Sequence, residues 1–196
     1  MSGANRTKQA LAESMKALMK KMPLEKISVS DIVEHAHIGR NTFYYHFQDK
    51  FDLVNWIFQS ESSSYFVGQN NGDSWNDWMT SLSEYFAQNR EFYCKALAYA
   101  GQNSLRDYLF DLFKELTVQR IKRIEQEVGR TFTAEELNFG GEFMASALLG
   151  LLVRWAEQGM KPVPAAYSQM MLRLQSSESF GGLIKSESNQ NTPVAA

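Results

Sequence analysis

Apolar residues recur at helical spacing along nearly the whole of this chain, without the strict alternation of a half-buried strand. Leu11, Met15, Leu18, Met19 and Met22 form the stripe of a first helix, which Pro23 ends. Trp75, Trp78, Met79, Leu82, Tyr85 and Phe86 form another. Leu105, Tyr108, Leu109, Leu112, Phe113, Leu116, Ile124 and Val128 form a longer one, closed by Gly129. Thr133 and Glu136 have capping-box spacing and open a helix reaching about Gln158, ended by Gly159 and Pro162. A last helix is expected from about Ala165 to Leu174, carrying Tyr167, Met170 and Met171. No fixed-period repeat is evident. The pattern predicts an all-α fold: an N-terminal three-helix, helix-turn-helix domain, then a C-terminal helical bundle.

The front of the chain carries the helix-turn-helix signal. Ser28 and Asp31 have the S-x-x-D spacing of a capping box, and Ile27 and Ile32 stand where a hydrophobic staple needs them. That second helix carries Ile32, Val33 and Ala36 and ends by His37. Gly39 is the expected N-cap of a third helix, roughly Arg40 to Phe47, with Ile38 and Phe43 as its staple. Asp49 caps a fourth, whose apolar face is Leu53, Val54, Ile57 and Phe58. Residues 60–74, rich in Ser, Asn and Gly, read as a connection between two parts. From Ser176 onward the tail has a disordered composition. The expected organisation is a head over 5–60, a helical domain over 61–175 and a tail over 176–196.

A length of 196 residues is enough for a sizeable core. The net charge of −2 is unevenly spread: eight Lys and Arg face six Asp and Glu through residue 60, and twelve face sixteen beyond it. A mildly basic front before a mildly acidic back is what a chain shows if only its front meets a polyanion. The one cysteine, Cys94, has no intramolecular partner, suits a reducing compartment and reads as a small buried hydrophobe. The N-terminus lacks the apolar core of a secretory leader, and the run Met144–Val153 is about half of what a membrane span needs. A soluble cytoplasmic protein with no membrane partner is expected.

The stretch His37–Lys50, HIGRNTFYYHFQDK, carries the chemistry. At about 100° per residue Phe43 and Phe47 fall together and face a core. Arg40, Asn41, Tyr44 and Tyr45 spread over the opposite and flanking face, with Thr42 and His46 at a border. A helix fits the major groove of B-form DNA, where Arg reads guanine and Asn reads adenine bidentately. Tyr hydroxyls reach phosphates, Lys50 is a candidate phosphate clamp, and Ser28 with the amides opening the second helix offers another phosphate site. The competing reading is a three-helix domain whose tyrosines pack against the second part. His35, His37 and His46 lack metal-ligand spacing, so no metal is assigned.

Two segments, Ile27–Phe58 and, less closely, Ala10–Lys21, resemble the DNA-binding domain of the TetR/AcrR transcriptional regulators. The string TFYYHFQDK is the specific part. The resemblance implies backbone contacts from Tyr44, His46 and Lys50. It puts Arg40, Asn41, Thr42 and Tyr45 in or beside the major groove and Ser28 and Ser30 at phosphates. It also implies a homodimer on a palindromic double-stranded operator, controlled by a small-molecule or protein effector. The family often has Gly where this chain has His37, in a turn that needs positive φ, and Ser or Asn where it has Gly39.

The back half shows no G-x-S-x-G, P-loop, G-x-G-x-x-G or paired catalytic carboxylates, so no catalytic residue and no cofactor is expected. The segment Met144–Trp155 is apolar around most of its circumference, which suits either burial within the chain or a two-fold four-helix interface. The dimer reading assigns Leu148, Leu151, Leu152, Trp155, Met170, Met171 and Leu174 to that interface, with Gly140, Gly141 and Gly150 allowing close approach. Trp78, Tyr85, Phe92, Tyr93, Tyr99 and Phe113 are the aromatics from which the family resemblance draws an effector pocket, although most should be core. The back half also resembles regulators related to the dihydroxyacetone kinase operon activator, a relative that works with a partner protein and activates, whereas the wider family mostly represses. The rivals are a small all-α enzyme and a helical adaptor that does not bind DNA.

Overall fold

The computed structural model describes residues 3–67, 75–129 and 131–161. They form eight α-helices and a 3₁₀ turn, with no strand among the described residues. In chain order the helices are α1 (Gly3–Lys21), α2 (Val29–Ala36), α3 (Arg40–His46), α4 (Lys50–Val67), α5 (Trp75–Gln88), α6 (Arg90–Ala98), α7 (Leu105–Val128) and α8 (Ala134–Glu157), and the 3₁₀ turn is Leu24–Lys26. Met1–Glu61 and Asn89–Lys161 belong to one compact unit, and Ser62–Gln88 to a second.

The helix starts follow from the capping chemistry. Ser28 accepts from the Asp31 amide while the Asp31 carboxylate accepts from the Ser28 amide, closing the expected box on α2. Thr133 and Glu136 do the same for α8. A third box, Ser104 with Asp107, opens α7 with the S-x-x-D spacing of Ser28 and Asp31. Asp49 caps α4 through one carboxylate oxygen that accepts from the amides of Phe51 at 2.7 Å and Asp52 at 2.8 Å. The helix ends are as readable. His37 and Gly129 close α2 and α7 in the left-handed conformation, at φ 54° and 68°.

The stripes face inward. Leu11, Met15, Leu18 and Met19 of α1, Ile32 and Val33 of α2, Phe43 of α3 with Phe47 just after it, and Leu53, Val54, Ile57 and Phe58 of α4 are all buried. Ser14 ties α1 to α2 with a buried hydroxyl that donates to the Ile32 carbonyl at 2.8 Å, so this polar atom costs nothing by being inside. On α5, Trp78, Leu82, Tyr85 and Phe86 are buried.

Two expectations meet a different structure. Residues 60–67 are not a connection, because α4 runs on to Val67. Ser60 donates to the Ile57 carbonyl at 3.2 Å and Glu61 pairs with Lys16 of α1, so helix continues where composition suggested a break. Gly140 and Gly141 serve contacts within the chain, since a Cβ at Gly141 would lie 2.9 Å from Val118 Cγ2 and one at Gly140 would lie 3.0 Å from Ile121 Cδ1. These two glycines let α8 lie close on α7, whereas nothing lies within 4 Å of a Cβ at Gly150. Helix α8 is long and apolar enough to cross a bilayer, but it packs on α7 and its Glu142 pairs with Lys114 at 2.9 Å, as a bundle helix does. The expected last helix from 165 to 174 and the tail from 176 lie outside the described residues, as do residues 68–74.

Candidate nucleic-acid interface

The turn between α2 and α3 fixes the third helix. His37 adopts φ 54° and ψ 41°, its amide donates to the Glu34 carbonyl at 3.1 Å, and the Ile38 amide reaches back to the Val33 carbonyl at 2.9 Å. That pairing is the Schellman closure of a helix, and histidine tolerates the left-handed region better than most residues. Gly39 follows at φ −70° and ψ 144°, and its carbonyl accepts from the Thr42 and Phe43 amides to start α3. A Cβ at Gly39 would meet only Thr42 Oγ1, at 3.7 Å, so glycine is not needed there for space or for φ.

The two faces of α3 then separate cleanly. Phe43 is fully buried, set edge-on to Tyr44 at 5.5 Å and against Phe47 at 5.8 Å. Phe47 also meets Trp56 of α4 at 5.8 Å, with the Lys8 ammonium of α1 over both rings. On the other side Arg40, Asn41, Thr42, Tyr44 and Tyr45 are exposed, Tyr45 at 83% and Tyr44 at 48%. Arg40 lies one turn before Tyr44, its guanidinium 5.7 Å from the ring centre and its Nη2 3.4 Å from the hydroxyl. Tyr45 leans edge-on against the half-buried His46 at 5.0 Å. A short helix is thus pinned by two phenylalanines and offers a guanidinium, an amide and two phenols to solvent.

Ser28 and Ser30 are exposed at the start of α2, twelve and ten residues before Arg40. The Ser28 hydroxyl donates to Asp31 Oδ2 at 2.7 Å, so its proton is already committed to the cap. That bond, with the Ser28 amide, holds the Asp31 carboxyl below its ordinary range. Lys50 opens α4, and its Nζ donates to the carbonyls of Leu24 at 2.8 Å, Glu25 at 3.0 Å and Ile27 at 2.7 Å. Burial pulls this ammonium below the usual lysine range, against the attraction of Glu25, Asp31 and Asp49.

The residues expected to line an effector pocket are mostly core. Phe92, Tyr93 and Phe113 are buried, with Phe92 edge-on to Tyr93 at 5.0 Å and Tyr93 edge-on to Phe58 at 6.2 Å. Trp78 and Tyr85 are buried on α5. Tyr99 is half-buried and stacks on Phe51 of α4 at 4.3 Å with the rings 8° from parallel. A cavity of about 250 Å³ is lined instead by four carboxylates, Asp49, Asp52, Asp107 and Asp111, together with Asn55, Asn103, Ser104 and Tyr108. Here Asn103 clasps α4, donating to Asp49 Oδ2 at 3.3 Å while its carbonyl accepts from Asn55 at 3.4 Å.

Of the residues expected at a dimer interface, Leu148 and Trp155 are buried within the chain, Leu152 is half-buried and Leu151 is 42% exposed. Met170, Met171 and Leu174 lie outside the described residues. The most exposed apolar side chains of α8 are Phe139 at 70% and Phe143 at 56%, stacked on each other at 6.2 Å. Their spacing of four residues could have flagged them, but they sit N-terminal to the long apolar run that draws attention. Among the described residues no His, Cys, Asp and Glu cluster has metal-binding geometry.

Comparison with known proteins agrees with this geometry. Residues 7–57 match the family profile described as bacterial regulatory proteins, tetR family, and residues 73–177 match one described as transcriptional regulator C-terminal region. The HTH-type dhaKLM operon transcriptional activator DhaS of Lactococcus lactis subsp. lactis (strain IL1403) is 34% identical over 89 residues, 45% of this chain. That match spans about half of the relative's length, 48%. The solved structure of the dihydroxyacetone kinase operon activator DhaS superposes with a TM-score of 0.60 at 24% identity, covering 86% of this chain and 93% of that one. Thermus thermophilus FadR, a TetR-family repressor solved with lauroyl-CoA, gives 0.61 at 15% identity over 96% and 99%. NalD of Pseudomonas aeruginosa, the secondary repressor of the MexAB-OprM efflux pump, gives 0.59 at 18% over 88% and 94%. At these identities the superpositions establish the fold. The C-terminal profile alone covers more than half of the chain, and with the helix-turn-helix head it places this protein in the TetR family of bacterial transcriptional regulators.

Proposed function

We propose that the protein is a cytoplasmic, homodimeric repressor that binds a palindromic operator through α3 and releases it when an effector binds the helical domain. The observation that carries this reading is the two-faced α3: Phe43 is sealed inside while Arg40, Asn41, Thr42, Tyr44 and Tyr45 stand in solvent. Arg40 and Asn41 would read base edges, and Tyr44, Tyr45 and His46 would meet the backbone on either side. Ser30 and the first amides of α2 would approach a phosphate, with Lys50 and the committed hydroxyl of Ser28 beside them. Two such helices would lie about one turn of DNA apart. The head would be residues 5–60 and the effector and dimer domain 61–175, with a tail over 176–196. The exposed Phe139, Phe143 and Leu151 of α8 would be covered by the second copy. Among the six candidate pocket aromatics, Tyr99 offers the most direct route to the head, because an effector that parted it from Phe51 would move α4.

Selecting bound fragments from the source genome tests the reading. One enriched palindrome is expected, and enrichment of no defined sequence would leave a helical adaptor. Sedimentation of the full chain is expected to give a dimer that Phe143→Glu separates. A second reading is favoured by the 34% match to a protein named as an activator: the chain would activate, under the control of a partner protein rather than a small molecule. A reporter behind the selected fragment distinguishes the two by the sign of its response.

A further inference from the structure

Arg40 opens α3, where the helix dipole presents its positive end, and the first turn of α3 carries no acidic residue to offset the charge. A guanidinium in that place gains nothing from its helix, and it has many rotamers to give up when it docks on a base edge. What it meets is Tyr44, one turn on. Long helical side chains lean toward the helix N-terminus, so a ring at position 44 covers the turn that residue 40 begins. The guanidinium carbon lies 5.7 Å from the centre of that ring, and Nη2 donates to the hydroxyl at 3.4 Å. The ring is itself held from behind, edge-on to the fully buried Phe43 at 5.5 Å. Each contact is modest, a long hydrogen bond and an exposed cation–π pair, but both act on the same group. A phenol has one proton to donate and lone pairs with which to accept. Here the hydroxyl accepts from Arg40, so its own proton stays available for a phosphate, and the charged donor strengthens it.

We propose that Tyr44 is a positioning residue for base readout as well as a backbone contact: its ring and hydroxyl order the Arg40 guanidinium before DNA arrives, so that the phosphate contact and the base contact form as one unit. The inference rests on the DNA-binding reading above. It differs from a backbone role alone in one usable way. A tyrosine that only meets phosphate sets affinity and carries no sequence information, whereas one that orders Arg40 also sets the preference at the base which Arg40 reads.

The test uses the full chain and the operator fragment selected above, with each single-base substitution of one half-site. The variants are Arg40→Ala, Tyr44→Phe, Tyr44→Leu and the double change Arg40→Ala with Tyr44→Leu, measured where melting shows each to be folded. Arg40→Ala identifies the base position read by the guanidinium, through the discrimination lost there. Tyr44→Leu removes ring and acceptor together. It is expected to weaken binding to every fragment and, beyond that, to lower discrimination at the same position by about two- to fivefold, the scale of an exposed cation–π contact. Tyr44→Phe keeps the ring, and its loss of discrimination there should be smaller, about twofold. In the Arg40→Ala background, Tyr44→Leu should change discrimination at that position no further. A Tyr44→Leu protein that loses affinity equally for all fragments would overturn the proposal, as would an Arg40→Ala protein with unaltered preference at every position. If Tyr44→Leu does not fold, Tyr44→Phe decides by the same comparison: a loss confined to the Arg40 position beyond the general weakening supports the proposal, and a uniform loss refutes it. Enrichment of no DNA by the parent protein would remove the DNA-binding reading and this one with it, whereas a uniform loss on a defined operator removes this one alone.

Discussion

Phe43 and the exposed Tyr45 two positions on invite a separation of roles that can be measured. Phe43→Ala removes a ring with no solvent exposure, in contact with the rings of Tyr44 and Phe47. Large-to-small changes of this kind cost about 3–5 kcal/mol. A chain of this size loses roughly 2–4 °C in Tm per kcal/mol, so a drop on the order of 10 °C in the transition of the head is expected. Tyr45→Ala removes a ring that is 83% exposed and leans only on His46, so its effect on stability should stay within about 0.5 kcal/mol. Operator affinity should reverse the ranking per unit of stability lost. At a temperature where both variants are folded, Tyr45→Ala should weaken binding by about 1 kcal/mol or more, roughly fivefold, if its hydroxyl or ring meets the backbone. Thermal melts followed by helical circular dichroism, with fluorescence anisotropy on labelled operator, give both numbers. A Tyr45→Ala protein that melts early, or one that melts normally and binds operator as well as the parent, would refute the assignment of the two faces.

Three other changes follow from the described geometry. His37→Gly should raise stability by up to about 1 kcal/mol, because the residue sits at φ 54°, where a Cβ is disfavoured; denaturant midpoints check it. Gly141→Ala should cost about 1–3 kcal/mol through the 2.9 Å approach to Val118, whereas Gly150→Ala, with nothing within 4 Å, should stabilise α8 by about 0.5–1 kcal/mol in the same assay. Asp31 has its folded pKa below the ordinary 3.8, so its contribution is fully present above that value and is lost as pH falls below it. Asp31→Asn should therefore be less stable than the parent at neutral pH, and the difference should shrink as pH falls below 3.8.

Local chemistry made the head legible. The spacing of Ser28 and Asp31, the staple residues, and the two phenylalanines of α3 each depend on neighbours within a few positions, and each appears as written. The left-handed turn at His37 was readable from the family pattern of glycine at that position. What failed to be legible depends on partners far along the chain. Serines at 60–64 suggest a break, yet Lys16, forty-five residues earlier, pairs with Glu61 and supports the helix. Lys50 looks like a free cation until the carbonyls that it meets, more than twenty residues away, come into view. Gly140 and Gly141 belong to a helix contact whose other side is Val118 and Ile121, and no periodicity within α8 points there. The aromatics of α6 and α7 carry no mark that separates a ring in the core from a ring beside a ligand.

The helix proposed to face DNA has only seven residues, Arg40–His46. Isolated helices shorter than about 12 residues are marginal in water, so this one has no shape of its own to bring to an operator. Its orientation is borrowed from Phe47, which packs on Phe43 and also on Trp56 of α4 under the Lys8 ammonium. Substitutions in that aromatic cluster, made for no reason but packing, would tilt the probe and change which promoters the protein prefers. Target preference in such a regulator can therefore drift from the inside, while every side chain that touches the double helix stays the same.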